Sequence, residues 1–289
     1  MKNLLAIVYT FFALCSYSYS YSQNFRDSID VIHYDISIDF KSMDNKNIET
    51  TTKIYFLCNF NDMNLLKFDL NEFAVNKIIM NGKKINSWNH KNNILSFESQ
   101  KRLNTKDTNI VQISFSGTPQ EDDHWGGFYF KYKSAFNMGI AMASNPPSAG
   151  RYWFACSDNF KDKATFRYTI TVPKGFWASA GGILVSSNET KEYTTFVWNQ
   201  TSSIPPYLAS VAVAIYDTIS DSYTNINGIK IPIEIFTYKN KKQLSKQSFV
   251  NLKKALMAFE DMFGEYRFNK VGFSEINFDG GAMEHAENI

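Results

Sequence analysis

From Ile32 to Phe40 apolar and polar residues alternate: Ile32, Tyr34, Ile36, Ile38 and Phe40 take the even positions, and His33, Asp35, Ser37 and Asp39 the odd ones. A helix would scatter the five apolar side chains around its axis, whereas a strand places them on one face. Residues 31–40 therefore read as a half-buried antiparallel strand. Short runs of similar character follow at 53–60, 65–70, 74–80, 94–97 and 111–115, and then at 127–132, 165–172, 193–198 and 208–216. Asn81-Gly82 is a type I′ hairpin signal, and Pro146-Pro147 and Pro205-Pro206 mark loops. Many short strands, with no helix of useful length before residue 240 and no internal repeat, predict a mainly β sheet sandwich. The 289 residues can fill such a core, being 44% hydrophobic and 16% aromatic, a composition that excludes general disorder.

The first 22 residues have the make-up of a secretory leader. Lys2 is a short basic region, residues 4–14 are an apolar run, and Ser20 and Ser22 flank Tyr21 at the expected cleavage point before Gln23. The run is about half of the ~20 residues that a spanning helix needs, and no later segment comes closer, so no transmembrane anchor is expected. Leu14 stands where a lipoprotein signal needs a small residue, which argues against lipid attachment at Cys15. The expected product is exported, periplasmic or extracellular. Its two cysteines, Cys58 and Cys156, are compatible with one disulfide or with two buried thiols. Without Lys2, 29 basic residues face 28 acidic ones, a balance that offers no electrostatic case for nucleic acid. Oligomeric state is left open.

Beyond Asp221 the character of the sequence changes, which places a domain boundary near residue 225. Residues 229–238 read as a strand. Asn240 and Gln243 have capping-box spacing, and Phe249, Leu252, Leu256, Phe259 and Phe263 recur at three and four residues. That spacing predicts one helix of roughly six turns with a single apolar stripe, ended by Gly264. A strand-like run at 270–278 then enters Gly280-Gly281-Ala282-Met283-Glu284-His285.

Three stretches together resemble the zinc aminopeptidases of the aminopeptidase N and leukotriene A4 hydrolase type. Gly281-Ala282-Met283-Glu284-His285 is similar to that family's Gly-x-Met-Glu-Asn exopeptidase motif, with His in place of Asn. Trp153-Phe154-Ala155-Cys156-Ser157-Asp158 resembles its Trp-Phe-Pro-Cys-x-Asp segment, with Ala155 in place of Pro. Phe263-Gly264-Glu265-Tyr266, followed by Phe268 and Lys270, resembles its Phe-Gly-x-Tyr-Pro-Phe-x-Lys turn. The resemblance covers essentially the whole chain after the leader. It implies a saddle-shaped antiparallel β-sandwich domain over residues 23–225, and the first strand-helix-strand of a thermolysin-like α+β catalytic domain over 226–289. It also implies a peptide substrate with a free amino terminus, and zinc as the cofactor of the full-length protein.

The zinc-binding helix of that family needs His-Glu-x-x-His. None of His33, His90, His124 and His285 is followed by Glu and then His at that spacing, so no metal ligand and no catalytic residue is assigned here. The chain is expected to be the front portion of such an enzyme and, alone, to be inactive. The resemblance makes Glu284 the carboxylate that holds the substrate's α-ammonium group by charge-assisted hydrogen bonds. Glu287 competes for that role, and the bland alternative is a solvated acid on a glycine-rich edge. Gly280, Gly281, Ala282 and Met283 would let a substrate main chain approach, while His285 would hold the motif's turn. Arg151, Trp153 and Asp158 are expected to organise the seam between domains. Residues 138–150 offer no second acid for the amine. Trp125-Gly126-Gly127-Phe128-Tyr129 suggests a competing class, a non-catalytic glycan-binding module, although such a run is more often a core strand with a bulge. A third class is a metal-free relative acting as a scaffold.

Overall fold

The computed structural model describes residues 24–289, so the leader and Cys15 lie outside the described residues. The first strands are β1 (Ile29–Asp39), β2 (Ile48–Cys58), β3 (Met63–Asp69), β4 (Ala74–Met80), β5 (Lys83–Ile85), β6 (Asn89–Lys91), β7 (Ile94–Leu103) and β8 (Asn109–Gly117). Then come β9 (Gly126–Lys131), β10 (Ser134–Ala141), β11 (Ala164–Pro173), β12 (Trp177–Ala180), β13 (Ile183–Glu189), β14 (Tyr193–Ile204) and β15 (Val211–Ala214). The C-terminal region holds β16 (Tyr216–Thr224), β17 (Lys230–Tyr238), helices α1 (Lys242–Ser248) and α2 (Leu252–Phe263), and β18 (Val271–Ser274). The fold class is mainly β.

Eight strands form one sheet in the order β13-β14-β11-β1-β2-β8-β4-β5, and β3-β7-β6 and β12-β15-β10-β9 form two smaller sheets. Tyr34, Ile36 and Ile38 on β1 are fully or almost fully buried, and Tyr34 stacks on Phe166 of β11 at 4.9 Å. Phe56 of the large sheet meets Phe68 of β3 at 6.0 Å, and Phe40, just past β1, meets Phe128 of β9 at 6.2 Å. These aromatic pairs join the three sheets into one core. Cys58 and Cys156 are buried free thiols, which decides between the two alternatives.

Several local expectations are corrected. β1 pairs antiparallel with β2 but parallel with β11, so it is not a purely antiparallel strand. A register shift between Val31 and His33 moves Ile32 off the buried face, leaving it 41% exposed, while Val31 is buried. Residues 208–216 are not one strand: a 3-10 turn at Pro206–Leu208 precedes β15, and Tyr216 begins a strand of another sheet. That sheet has the order β16-β17-β18, so residue 225 lies in the β16–β17 connection, inside a sheet rather than between two. By sheet membership the change falls at Ile215.

The expected long helix is broken at Phe249, Val250 and Asn251, where Phe249 leaves helical geometry and its ring packs on Phe273 at 4.6 Å. Asn240 does not cap it: its φ is 75°, and the cap position is Lys241, without a side-chain bond. Gly264 does end α2, with φ 91° and its N–H donated to Glu260 O. Phe249, Leu252 and Leu256 pack against Ile233, Ile235 and Val271, but Phe259 and Phe263 are 59% and 77% exposed. The run 270–278 is strand only over β18. Among the described residues no helix is long and apolar enough to cross a membrane.

Candidate functional site

β17 carries the C-terminal region against the β sandwich. Phe236 lies 6.1 Å from both Trp177 and Trp198, and Ser179 Oγ on β12 shares a 2.7 Å hydrogen bond with Ser274 Oγ on β18. Lys270, fully buried just before β18, donates to Ala180 O at 3.0 Å, and its ammonium sits 4.3 Å from the centre of the Trp198 ring. Burial pulls its pKa down to about 8, against the opposing attraction of Glu234 and Glu287. The seam residues are therefore Trp177, Ser179, Trp198, Phe236 and Lys270.

The expected seam residues lie elsewhere. Arg151 and Asp158 form an ion pair of 2.8 Å, both essentially buried, inside the β domain. Asp158 N donates to Asp69, which in turn accepts from Arg26 Nε at 2.8 Å. Trp153 stacks on Tyr168 and meets Phe154 edge to face in the same core. Their place is the interior of the sandwich, where paired charges satisfy one another.

After β18 the chain loops out and returns: Ser274 N donates to Ile289 O at 2.8 Å and Ile289 N to Gly272 O at 2.9 Å. The loop's entry is held by Glu275, whose carboxylate accepts from Lys241 Nζ (2.6 Å), Thr237 Oγ1 (2.8 Å) and Tyr238 N (2.9 Å). Burial pushes its pKa up, and those bonds outweigh it, leaving the carboxyl below its ordinary range. Phe278 packs its ring against Tyr129 at 5.2 Å and Trp125 at 6.0 Å, so the Trp125 run forms a wall beside the motif.

Within the motif the side chains alternate. Met283 and His285 are buried, and Ala282 and Glu284 are exposed, as period two requires. Met283 packs with Tyr129, Phe136, Met138 and Ala212. His285 Nε2 bonds Asn137 O on β10 at 3.2 Å, so this ring pins the motif to the β domain instead of holding a local turn. The contact depends on Gly139, because a Cβ there would lie 1.8 Å from Tyr207 O and 3.0 Å from His285 Cε1. Burial lowers the His285 pKa to about 4, so the ring is neutral at pH 7.

Glu284 and Glu287 are separated by the same alternation and turn. Glu287 is buried, with φ 62°, and accepts from Asn269 N at 2.6 Å; burial raises its pKa. Glu284 stays at the surface. Among the described residues, none makes a hydrogen bond to the backbone of Gly280, Gly281 or Ala282, and Gly281 has φ 99°. Gly281 and Ala282, together with the buried Met283 and His285, line a cleft of about 430 Å³ whose other walls include Met138, Ala212, Ser245 and Phe249; Gly280 and Glu284 lie outside that lining. The donor set does not fit zinc. Among the described residues no three of His, Cys, Asp and Glu come together, and His33, His90 and His285 bond to Thr165 Oγ1, Leu70 O and Asn137 O respectively.

Sequence reasoning missed Asn137 and the burial of Lys270. β10 is buried along nearly its whole length and shows no alternation, so its residues carried no strand signal. Lys270 was visible only as one position in a turn motif.

Residues 30–208 match the Peptidase M1 N-terminal domain. Aminopeptidase Q of Acinonyx jubatus is 27% identical over 185 residues, covering 61% of this chain and 18% of that protein. Glutamyl aminopeptidase of Bos taurus is 28% identical over 151 residues, covering 50% and 15%. The M1 zinc metallopeptidase of Deinococcus radiodurans superposes with a TM-score of 0.77 at 17% identity, covering 90% of this chain and 59% of that one. A mutant of that enzyme bound to a Tyr-Ser-Ala substrate gives 0.78 at 18% identity, covering 90% and 60%. The matched part spans under a fifth of those two curated relatives and about three fifths of those structures.

Proposed function

Because the chain belongs to the M1 peptidase family, we propose that the full-length protein is an exported, zinc-dependent aminopeptidase that removes amino-terminal residues from peptides. Glu284 receives the substrate's α-ammonium group. The observation that carries this is the division of the motif into two faces. Met283 and His285 anchor the segment in the β domain, Gly281 and Ala282 line the cleft with unpaired backbone, and Glu284 is exposed between the two anchors.

A carboxylate so placed binds an ammonium by charge-assisted hydrogen bonds. A strand edge without partners accepts a peptide main chain by the pairing of β-augmentation. Glu287 does not compete, because its side chain is buried, with one carboxylate oxygen accepting from Asn269 N. Zinc is part of the proposal through the family, and the described residues assemble no ligand set for it, so no step is routed through the metal. The leader at residues 1–22 supports export. The exposed face of Phe259 and Phe263 supports the reading that more structure packs on α2.

The test is kinetic, on the full-length gene product with an aminoacyl anilide. Glu284→Ala and Glu284→Gln lower kcat/KM by about a hundredfold, the scale of a lost charge-assisted bond. Unchanged kinetics in both variants remove Glu284 from the site.

A further inference from the structure

A second groove, of about 430 Å³, lies beside the motif between Lys131, Tyr132, Asn277, Phe278 and Asp279. Phe278 is shared with the cleft lined by Gly281 and Ala282, so the two spaces adjoin at one ring. Lys131 is half-buried at the end of β9, with its ammonium 4.8 Å from the centre of the Tyr129 ring and 5.2 Å from that of Phe278. Two aromatic faces hold the charge in place. Among the described residues, no carboxylate lies within ion-pair distance of it, although Asp279 borders the same groove. An ammonium has three donors and aromatic faces accept none of them strongly, so this one is positioned and unspent.

The direction of a bound peptide follows from the motif. With its amine at Glu284, a substrate cannot run on past His285, because residues 285–288 are buried. The open direction is back along Ala282, Gly281 and Gly280 toward Phe278. Glu284 lies six positions after Phe278, at most about 20 Å of extended chain. A peptide of roughly three to six residues covers that span.

We propose that Lys131 receives a carboxylate of the peptide substrate, downstream of the bond that is cut. This rests on the aminopeptidase reading and deepens it: short peptides with a free carboxyl end, or with an acidic side chain after the first residue, are the favoured class. The carboxylate takes the donors that the rings leave free, and Phe278 packs against the chain that carries it.

The experiment compares, with the full-length protein, hydrolysis of neutral tri- to hexapeptides as free acids and as C-terminal amides, and of amidated peptides with Asp or Asn at the second or third residue. The expected result is a kcat/KM about tenfold higher for the carboxylate-bearing member of at least one pair, the scale of a charge-assisted hydrogen bond. Lys131→Met brings that ratio close to one, and Lys131→Glu inverts it. Preference for free acids over amides assigns the terminal carboxylate; preference for Asp over Asn assigns the side chain. Lys133→Met, on the same turn and exposed, keeps the wild-type ratio. A wild-type ratio near one in every pair, or a ratio that survives Lys131→Met, overturns the proposal. Absence of turnover on every peptide overturns the aminopeptidase reading and this proposal with it.

Discussion

The β domain and the region after Ile215 treat apolar surface in opposite ways. In the β domain three sheets bury Tyr34, Phe56, Phe154, Phe166, Tyr168 and Trp198 completely or nearly so. After Ile215 a three-stranded sheet and two short helices bury only Ile219, Tyr223, Ile231, Ile233, Ile235 and Val271 in their own cluster. Phe259, Met262 and Phe263 stand exposed on α2. The difference teaches that the sandwich stabilises itself, while the C-terminal region takes part of its order from the seam. Phe236 belongs to the β-domain core, and Lys270 and His285 find their partners there. The candidate site lies on the weaker partner and is positioned by the stronger one.

The largest effect expected is from Trp153→Ala, which empties the centre of the sandwich. It costs about 3–5 kcal/mol in denaturant unfolding and removes hydrogen-exchange protection from both regions. Survival of protection after residue 216 would show that the C-terminal region stands alone and would break the comparison. Ile233→Ala, in the small cluster, costs about 2 kcal/mol or somewhat more and exposes amides only in residues 216–289. Loss of protection in the large sheet as well would mean that the two regions form one cooperative unit.

Acidification sharpens the contrast through one buried group in each region, Asp162 in the β domain and His285 in the motif, whose shifts are opposite in sign. Burial raises Asp162, beside Asp30 at the start of β11, from 3.8 to about 7. Its stabilising contribution is full below pH 3.8 and is lost as pH rises through about 7. Burial lowers His285 from 6.5 to about 4, so its contribution is present above pH 6.5 and is lost as pH falls through about 4. Hydrogen exchange at pH 4 against pH 7 should show the motif loosening while the amides around Asp162 and Val31 tighten; parallel behaviour of both sites would count against it. The smallest effect is from Phe263→Ser, which changes unfolding stability by no more than about 0.5 kcal/mol and reduces self-association seen by light scattering.

How much of this was legible depended on whether the signal was local. β2, β4, β8 and β11 are visible in the sequence because one face of each is buried and the other is not. β10 and β15 were missed or blurred, since they are buried on both faces and have no period to read. The apolar stripe from Phe249 to Phe263 was periodic, yet it spans two helices, because the packing of Phe249 on Phe273 bends the chain where the spacing alone would continue. The motif itself was legible; the roles within it were only partly so. Glu284 and Glu287 are the same residue type three positions apart, and nothing in their neighbourhood in sequence says which one faces water.

The sequence by itself determined the mainly β class, the strand faces, the end of α2 at Gly264 and the identity of the motif, because each rests on periodicity or on short-range backbone chemistry. Tertiary structure alone decided that Ile32 turns outward, that Arg151 and Asp158 belong to the interior, that Lys270 is buried at the seam, and that His285 reaches Asn137. Those outcomes depend on which surfaces meet across residues far apart in the chain: His285 and Asn137 are 148 positions apart, and their contact exists only because Gly139 leaves room for it.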